Sequence, residues 1–377
     1  MSTLRTQRAQ PEPAEQERGF RAAGAEPEGA PRARPSASIS ILIVNWNAGD
    51  RLLQCLESVR NEPVAAPAVH SRRARDAQIP ETGLQGVQVI VVDNASEDGS
   101  VEAVHARYPW VTLIRNDHNL GYARANNQAF EQSVGDWVLL LNPDAELTPG
   151  ALSALIAVAE SHPDAGAVTG KLVDEEGREQ SYMRAFPDLR HMLLCYTFLR
   201  RLFPRAAGRA MRRYFMLDED FTAVRTVPQP PGACLMVRRS VVGNQLMDER
   251  FPLFFNDVDL CRRIWDSGYG IYYTPYALIR HVPNRGGIRR AGALLEIEHA
   301  ISMMRYFNKH HPAWEYVVVR AALVLHYTVA LIASWVKPLM GKRPSPVYNR
   351  PSLARLKILL RLVRCRSFFD DGDPRWT

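Results

Sequence analysis

Glycine-rich phosphate loops are missing from this 377-residue chain. No GxGxxG follows the first apolar run and GxxxxGK[ST] occurs nowhere, which disfavours dinucleotide and P-loop modes of binding. Cysteine is scarce: Cys55, Cys195, Cys234, Cys261 and Cys365 are odd in number, scattered, and include no CxxC pair. That argues against a disulfide framework or a zinc site and for a reducing compartment. The first residues hold no apolar core of signal-peptide length, so the chain is expected to stay in the cytosol. Acidic residues are absent between Lys337 and Arg366, where nine basic ones fall. The formal charge of +7 belongs to that tail. The remainder is close to neutral, and a nucleic-acid-binding body is not expected.

What is present is enough for a core, with a hydrophobic share of 46%. Residues 1–37 are Ala, Pro, Glu, Arg and Gly with hardly an aliphatic side chain. Such a segment cannot offset its ordering entropy, and a disordered tail is expected. NEPVAAPAVHSRRARDAQIPETG (61–83) has the same character and predicts a flexible insertion over 61–85. The body, 38–312, alternates strands and helices. ISILIVNW (39–46), VQVIVVDN (87–94), VTLIRN (111–116) and DWVLLLNPD (136–144) read as strands. RLLQCLESVR (51–60) has apolar residues at 52, 53, 56 and 59, the spacing of a helix with one buried face. Further helices are expected over 100–108 and 122–133. Strands apolar on both faces and separated by helices predict a Rossmann-like α/β fold, its mostly parallel sheet covered by helices on each side.

Ligands of open α/β sheets bind at the carboxyl ends of the strands. Here those ends read Asn45-Trp46-Asn47, Asp93-Asn94-Ala95-Ser96, Asn116-Asp117-His118-Asn119 and Asn142-Pro143-Asp144-Ala145-Glu146. Four polar clusters thus converge on one rim and predict a site. Further on, FFNDVDLCRR (254–263) sets Asp257 and Asp259 beside two phenylalanines. Carboxylates in such company are costly unless something pairs with them.

Seven segments in order carry a resemblance: ISILIVNWNAGDRLLQCLESV, VIVVDNASEDGS, NLGYARANNQAF, VLLLNPDAEL, GACLMVRRSVV, DERFPLFFNDVDLCRR and GYGIYYTPYALIRHV. They span about 39–282, apart from the insertion and the poorly patterned 183–227. Together they resemble the family 2 inverting glycosyltransferases of the GT-A fold, in the bacterial rhamnosyltransferase-like branch.

The resemblance implies a role for each matching position. Asn142-Pro143-Asp144 stands where the family carries its metal-binding DxD, so Asp144 is expected on a divalent cation, Mg or Mn, with His281 completing the metal site. Hard oxygen ligands suit such an ion beside a diphosphate. Asn142 replaces the more usual aspartate and keeps a hydrogen bond for the donor ribose or a metal-bound water. A plain turn after the strand accounts for the same three residues. Asp93 and Asn94 fall where the family reads the nucleobase, and an Asx-turn into the next helix is compatible with that. Val44, Trp46, Asn126, Gly232 and Ala233 complete the expected nucleotide-sugar site. Trp46 reads equally as a base-pocket wall or a strand-end core residue. Gly232 lets the backbone approach the sugar closely. Asp257 matches the family's catalytic base, and apolar neighbours would raise its pKa. Asn256 stands where an acid is usual and is expected at the acceptor. Asp259 is expected to pair with Arg262 or Arg263 at helical spacing. Arg285 and Arg289 are candidates for the diphosphate.

Beyond 312, AALVLHYTVALIASWV (321–336) is apolar but shorter than the ~20 residues that cross a bilayer. LARLKILLRLVR (353–364) sets Lys357, Arg361 and Arg364 on one helical face, a membrane-surface pattern. Residues 313–377 are therefore expected to form apolar and basic amphipathic helices at the inner face of a bacterial plasma membrane. The expected activity moves a sugar, with rhamnose suggested by the resemblance, from a dTDP-, UDP- or GDP-sugar to a lipid-linked or polysaccharide acceptor. Two other readings stay open: an inactive sugar-nucleotide-binding or assembly protein, prompted by Asn142 and Asn256, and a nucleotidyltransferase on a similar sheet.

Overall fold

In a computed structural model, residues 38–63, 87–180, 183–282, 293–339, 359–361 and 363–364 are described, all within the unit Pro35–Thr377. The tail expected over 1–37, most of the insertion over 61–85, Arg285, Arg289 and most of 353–364 lie outside the described residues.

Strand β1 (Ile39–Asn45) is buried at every position. Its pleat sends Ile39, Ile41 and Ile43 to one face of the sheet and Leu42 and Val44 to the other. On the first face lies α1 (Asp50–Arg60), burying Leu52, Cys55, Leu56 and Val59, the face predicted from the spacing. On the second lies α3 (Tyr122–Gln132), with Ala123, Ala125, Ala129 and Phe130 against the strands. Between them the chain forms β2 (Val87–Asp93), α2 (Ser100–Arg107) and β3 (Thr112–Arg115), and after α3 comes β4 (Trp137–Leu141). Burial on both faces explains why these strands read as unbroken apolar runs.

The remaining strands are β5 (Ala145–Leu147), β6 (Ala165–Val173), β7 (Arg225–Thr226), β8 (Cys234–Arg238) and β9 (Gly270–His281). Helix α4 (Ala151–Ser161) precedes β6. Sheet order is β3-β2-β1-β4-β8-β6-β9-β5, with β7 on β9. The first four strands in this order are parallel, as expected. β8 then runs against both β4 and β6, while β9 is parallel to β6, so the whole sheet is mixed. The expected α/β architecture, with helices on both faces and helices after it, is present.

Two pairings position the site. β1 and β2 run in register from Ile39 opposite Val87 to Asn45 opposite Asp93, which brings their polar ends level. β5 pairs antiparallel with β9, setting Ala145 opposite His281.

Between β6 and β7, the stretch that the sequence leaves unpatterned holds α5 (Leu189–Tyr196), α6 (Leu199–Leu202) and α7 (Pro204–Tyr214). After β8 come α8 (Arg239–Val242) and α9 (Asn256–Asp266). Two long helices, α10 (Ala293–His310) and α11 (Ala313–Leu339), close the described chain before 359. They share a cluster with the 251–258 loop, in which Phe251, Phe255 and Val258 meet Ile301, Met304, Phe307, Val319 and Leu323. The apolar run expected over 321–336 is part of a helix that begins eight residues earlier, and Ala313–Ala333 is long and apolar enough to cross a membrane. Trp314, Val317, Leu325, Val329 and Ile332 are exposed along it. Arg320, inside that stretch, donates to the Val363 carbonyl at 2.5 Å.

Asp259 ties α10 to α9. Its side chain is fully buried and accepts from Arg263 Nε at 2.9 Å, Lys309 Nζ at 2.5 Å and His310 Nε2 at 2.7 Å. The partner expected at helical spacing is thus Arg263; Arg262 pairs with Asp266 instead. Burial pushes the Asp259 carboxyl up, but hydrogen bonds from His310 and Lys309 and the Arg263 charge outweigh it and hold the pKa below the ordinary value.

Asp259→Ala removes the acceptor shared by three side chains, of which Lys309 keeps Asp248 and Arg263 keeps the Leu246 carbonyl, and is expected to cost about 1–3 kcal/mol, read as a lowered unfolding midpoint in denaturant. Because the folded pKa is depressed, the stabilisation of the native carboxylate is present above the unfolded value of about 3.9. It is lost as pH falls through the lower folded value, so the gap between Asp259→Ala and the native chain narrows in acid.

Candidate active site

At the β1 and β2 ends, the Asn45 amide donates to Asp93 Oδ1 at 2.8 Å, Ser100 Oγ at 2.9 Å and Ser96 Oγ at 3.1 Å. Asp93 Oδ2 accepts the Ser96 N–H at 3.0 Å, the Asx-turn that the sequence allowed. Asn94 donates to the Gly121 carbonyl at 3.3 Å and accepts from Asn116, which bonds Gln128 in turn. Asn45, Asp93 and Asn94 are all buried. The three strand ends are therefore laced together by side chains, which is how polar groups survive at this depth. Asn47 and Ala95, next along, have φ of 51° and 60°. Left-handed backbone at non-glycine residues costs of order 1–3 kcal/mol and gathers at functional sites.

The Asn-Pro-Asp segment does form a turn, with the Ala145 N–H bonded to the Asn142 carbonyl at 3.0 Å, and the turn presents Asp144. Strand pairing carries His281 to it: Nε2 lies 3.5 Å from Asp144 Oδ1, and the two side chains are 12% and 13% exposed. On its other side, His281 Nδ1 faces Gln180 Oε1 at 3.4 Å, while Gln180 donates to the His281 carbonyl at 3.1 Å. A carboxylate and an imidazole converging at a partly open edge fit a hard divalent ion that takes its other ligands from phosphate and water. Among the described residues no group of three or more His, Cys, Asp or Glu is placed to hold a metal.

Tyr122 connects this edge to Asp257. Its hydroxyl donates to Asn142 Oδ1 at 3.1 Å and lies 3.4 Å from the Gly232 carbonyl. Burial, and then the Asp257 charge, push its pKa up, so it stays a neutral donor. The Gly232 N–H donates to Asp257 Oδ2 at 3.3 Å. A Cβ at Gly232 would stand 3.4 Å from the Asp257 Cβ, in ordinary contact but on the carboxylate's side. Asp257 Oδ1 accepts the Val258 N–H at 2.9 Å. Burial raises the Asp257 pKa, with the Arg184 guanidinium acting against it.

The loop that presents Asp257 is held from within. Phe255 is buried with φ of 65°, and Asn256 is 3% exposed. The Asn256 amide donates to the Leu253 carbonyl at 2.9 Å and to the Phe251 carbonyl at 3.3 Å, and its oxygen accepts the Asp257 N–H. Expected at an acceptor, Asn256 has both halves of its amide engaged by its own loop. Val44 and Ala233 are core side chains, the first one residue short of the end of β1 and the second just before β8. Asn126 donates back to the Tyr122 carbonyl at 2.9 Å. Trp46 packs partly buried against the aromatic cluster of the C-terminal helices. Tyr122 and Arg184 escape a sequence reading, Tyr122 because it looks like a helix-start core residue and Arg184 because its stretch has no pattern.

Comparison with known proteins follows the same residues. The glycosyl transferase family 2 profile matches residues 40–243, which include Asp93, Asp144 and Gly232 but end before Asp257 and His281. An N-acetylglucosaminyl-diphospho-decaprenol L-rhamnosyltransferase of Mycobacterium tuberculosis is 31% identical over 240 residues, covering 60% of this chain and 77% of that one. An O-antigen biosynthesis protein, RfbC, of Myxococcus xanthus is 28% identical over 245 residues, 61% of this chain and 17% of its own. Among solved structures, the mannosyltransferase PcManGT from Pyrobaculum calidifontis, in complex with GDP-Man and Mn2+, aligns with a TM-score of 0.45 at 17% identity, covering 89% of this chain and 88% of that one.

An acid whose folded pKa is raised favours the native state below its unfolded value and opposes it once ionised. Asp257→Asn is therefore expected to raise the thermal midpoint at pH 7 and to leave it unchanged near pH 3. Scanning calorimetry at the two pH values checks both halves.

Proposed function

We propose, since this chain belongs to glycosyl transferase family 2, that it transfers a sugar with inversion from a nucleotide-sugar donor to a lipid-linked saccharide. The observation that carries the reading is the bonded path from Asn142, beside Asp144, through Tyr122 and Gly232 to Asp257. It supports a reading in which Asp144 serves the leaving group and Asp257, with its raised pKa, serves the acceptor.

Asp144 and His281 would hold a divalent cation. When bound, that ion neutralises charge on the departing diphosphate. Asp257 takes the proton of the acceptor hydroxyl as its oxygen attacks the anomeric carbon from the face opposite the diphosphate. The bond from that carbon to the diphosphate oxygen breaks, and its electron pair leaves with the nucleotide. One displacement inverts the centre and needs no protein nucleophile. Tyr122, kept neutral, orients Asn142 toward the donor, and Asn256 locks the loop that aims Asp257. The Asp93 and Asn94 network forms the floor for the nucleobase.

Rhamnose is the sugar we favour, from the 31%-identical rhamnosyltransferase, whose name also gives a lipid diphosphate acceptor. The exposed apolar stripe of α11 supports contact with a membrane, where such an acceptor resides. The cytoplasmic face of a bacterial plasma membrane is the location this reading assigns.

Purified chain incubated with dTDP-, UDP- and GDP-sugars and manganese should turn over one donor, with the product identified by mass spectrometry. Asp257→Asn should lower transfer about 10²–10⁴-fold with donor binding retained. Chelation should abolish turnover reversibly. On the acid side the rate should fall as Asp257 protonates, at a pH above the ordinary aspartate value. Binding without turnover for every donor would overturn the transferase. Separately, replacing Leu325, Val329 and Ile332 together by Ser should abolish co-sedimentation with lipid vesicles while leaving the fold intact, since all three are exposed.

A further inference from the structure

The segment without a sequence pattern builds a cavity of its own, with Tyr214 in its wall. About 340 Å³ in volume, it is lined by Asp188, Arg190, His191, Arg209, Arg213 and Tyr214 among others. Arg190, Arg209 and Arg213 are exposed, and among the described residues none of the three joins an ion pair. The one carboxylate in the lining, Asp188, caps α5, its Oδ1 accepting the His191 N–H at 2.6 Å. His191 is 5% exposed and stacks on Tyr214 at 3.8 Å. Apart from the Ala210 backbone beside it, its ring nitrogens have no hydrogen-bond partner. The cavity is thus a basic, donor-rich cup with a buried imidazole in its wall.

Two neighbours give the cup a direction. Toward the catalytic side lies Arg184, whose charge acts on Tyr214, His191 and Asp257 alike, and whose Nε is buried without a partner. On the other side, a groove of about 680 Å³ shares Asp188 and Arg190 with the cup and is lined by Leu189, Leu193, Leu199, Phe203 and Trp314. Phe203 and Trp314 are more than half exposed, and Trp314 opens the apolar helix α11. The cationic cup and the apolar groove are therefore continuous along α5, α7 and the start of α11, and Arg184, just before the cup in the chain, is the charged side chain between the cup wall at Tyr214 and Asp257 on α9.

We infer that the Arg190–Arg209–Arg213 cup binds the phosphate or diphosphate of a lipid-linked sugar acceptor, with its isoprenoid chain in the Leu193–Phe203–Trp314 groove and its sugar hydroxyl at Asp257. This rests on the transferase reading and adds the acceptor's place in the fold. Charge complementarity and the continuity of the cup with the groove select an amphiphile with an anionic head, because a free phosphate leaves the groove empty.

The test uses the full chain and two readouts. Farnesyl diphosphate, farnesol and inorganic pyrophosphate are titrated separately and binding is followed by Trp fluorescence. Donor hydrolysis, which needs no acceptor, is measured in parallel. Farnesyl diphosphate is expected to bind at least ten-fold more tightly than either fragment, and Arg209→Ala with Arg213→Ala is expected to weaken it at least ten-fold. Donor hydrolysis should stay unchanged in that variant, whose replaced side chains are exposed and outside the catalytic path. Equal affinity of variant and native chain for farnesyl diphosphate overturns the inference, as does arginine-dependent binding to phosphatidylglycerol vesicles without binding of farnesyl diphosphate, which assigns the cup to the membrane surface. Loss of donor hydrolysis in the native chain would instead sink the transferase reading, whatever the arginines bind.

Discussion

Antiparallel pairing of β5 with β9 sets Ala145 opposite His281, and the remaining cleft is arranged around the edge that this creates. A strand pair fixes side-chain direction with a period of two, so a slip by one residue would turn the imidazole away from Asp144. The backbone bond from Val282 N–H to the Asp144 carbonyl locks the register at that point. On the other flank, the Asn142 N–H bonds the Ala233 carbonyl at 2.9 Å, so the Asn-Pro-Asp turn is held between β8 and β9 rather than standing free. Both side chains at the edge are therefore placed by main-chain geometry. Side chains then refine what the sheet has set.

Around Asp257 the balance is electrostatic. Desolvation makes the carboxylate costly, and Arg184 with two backbone N–H groups, from Val258 and Gly232, offsets part of that cost. Desolvation outweighs them, so the carboxyl holds its proton more tightly than an ordinary aspartate. The same helix carries Asp259 only two residues on, with the opposite solution: two cations, an imidazole and a depressed pKa. Two acids in one turn are driven apart by what surrounds them, one toward chemistry and the other toward structure.

Much of this was legible in the residues. Strands β1 to β4 declare themselves because both faces are buried, and α1 because its apolar spacing is regular. Arg263 as a partner of Asp259 follows from helical spacing. Lys309 and His310 could not be foreseen, since they arrive from about fifty positions away. Tyr122 was hidden for a different reason: a tyrosine at the start of an apolar helix looks like core, and only its hydroxyl's two partners reveal its part. The run from 183 to 227 resisted reading because its helices are short or arginine-rich, and their buried faces are small residues such as Ala207 and Ala210. Its contribution is made by Arg184 and the cup, through contacts that no local pattern encodes.

Asp259 also carries a consequence for anyone recombining this chain with a relative. A chimera whose junction falls between β9 and α10 would import α10 with a foreign residue at 309 or 310 and leave the buried Asp259 carboxylate with fewer partners beside Arg263. Exchanging α11 for a foreign helix therefore succeeds only downstream of His310, or when the Lys-His dipeptide travels with its carboxylate.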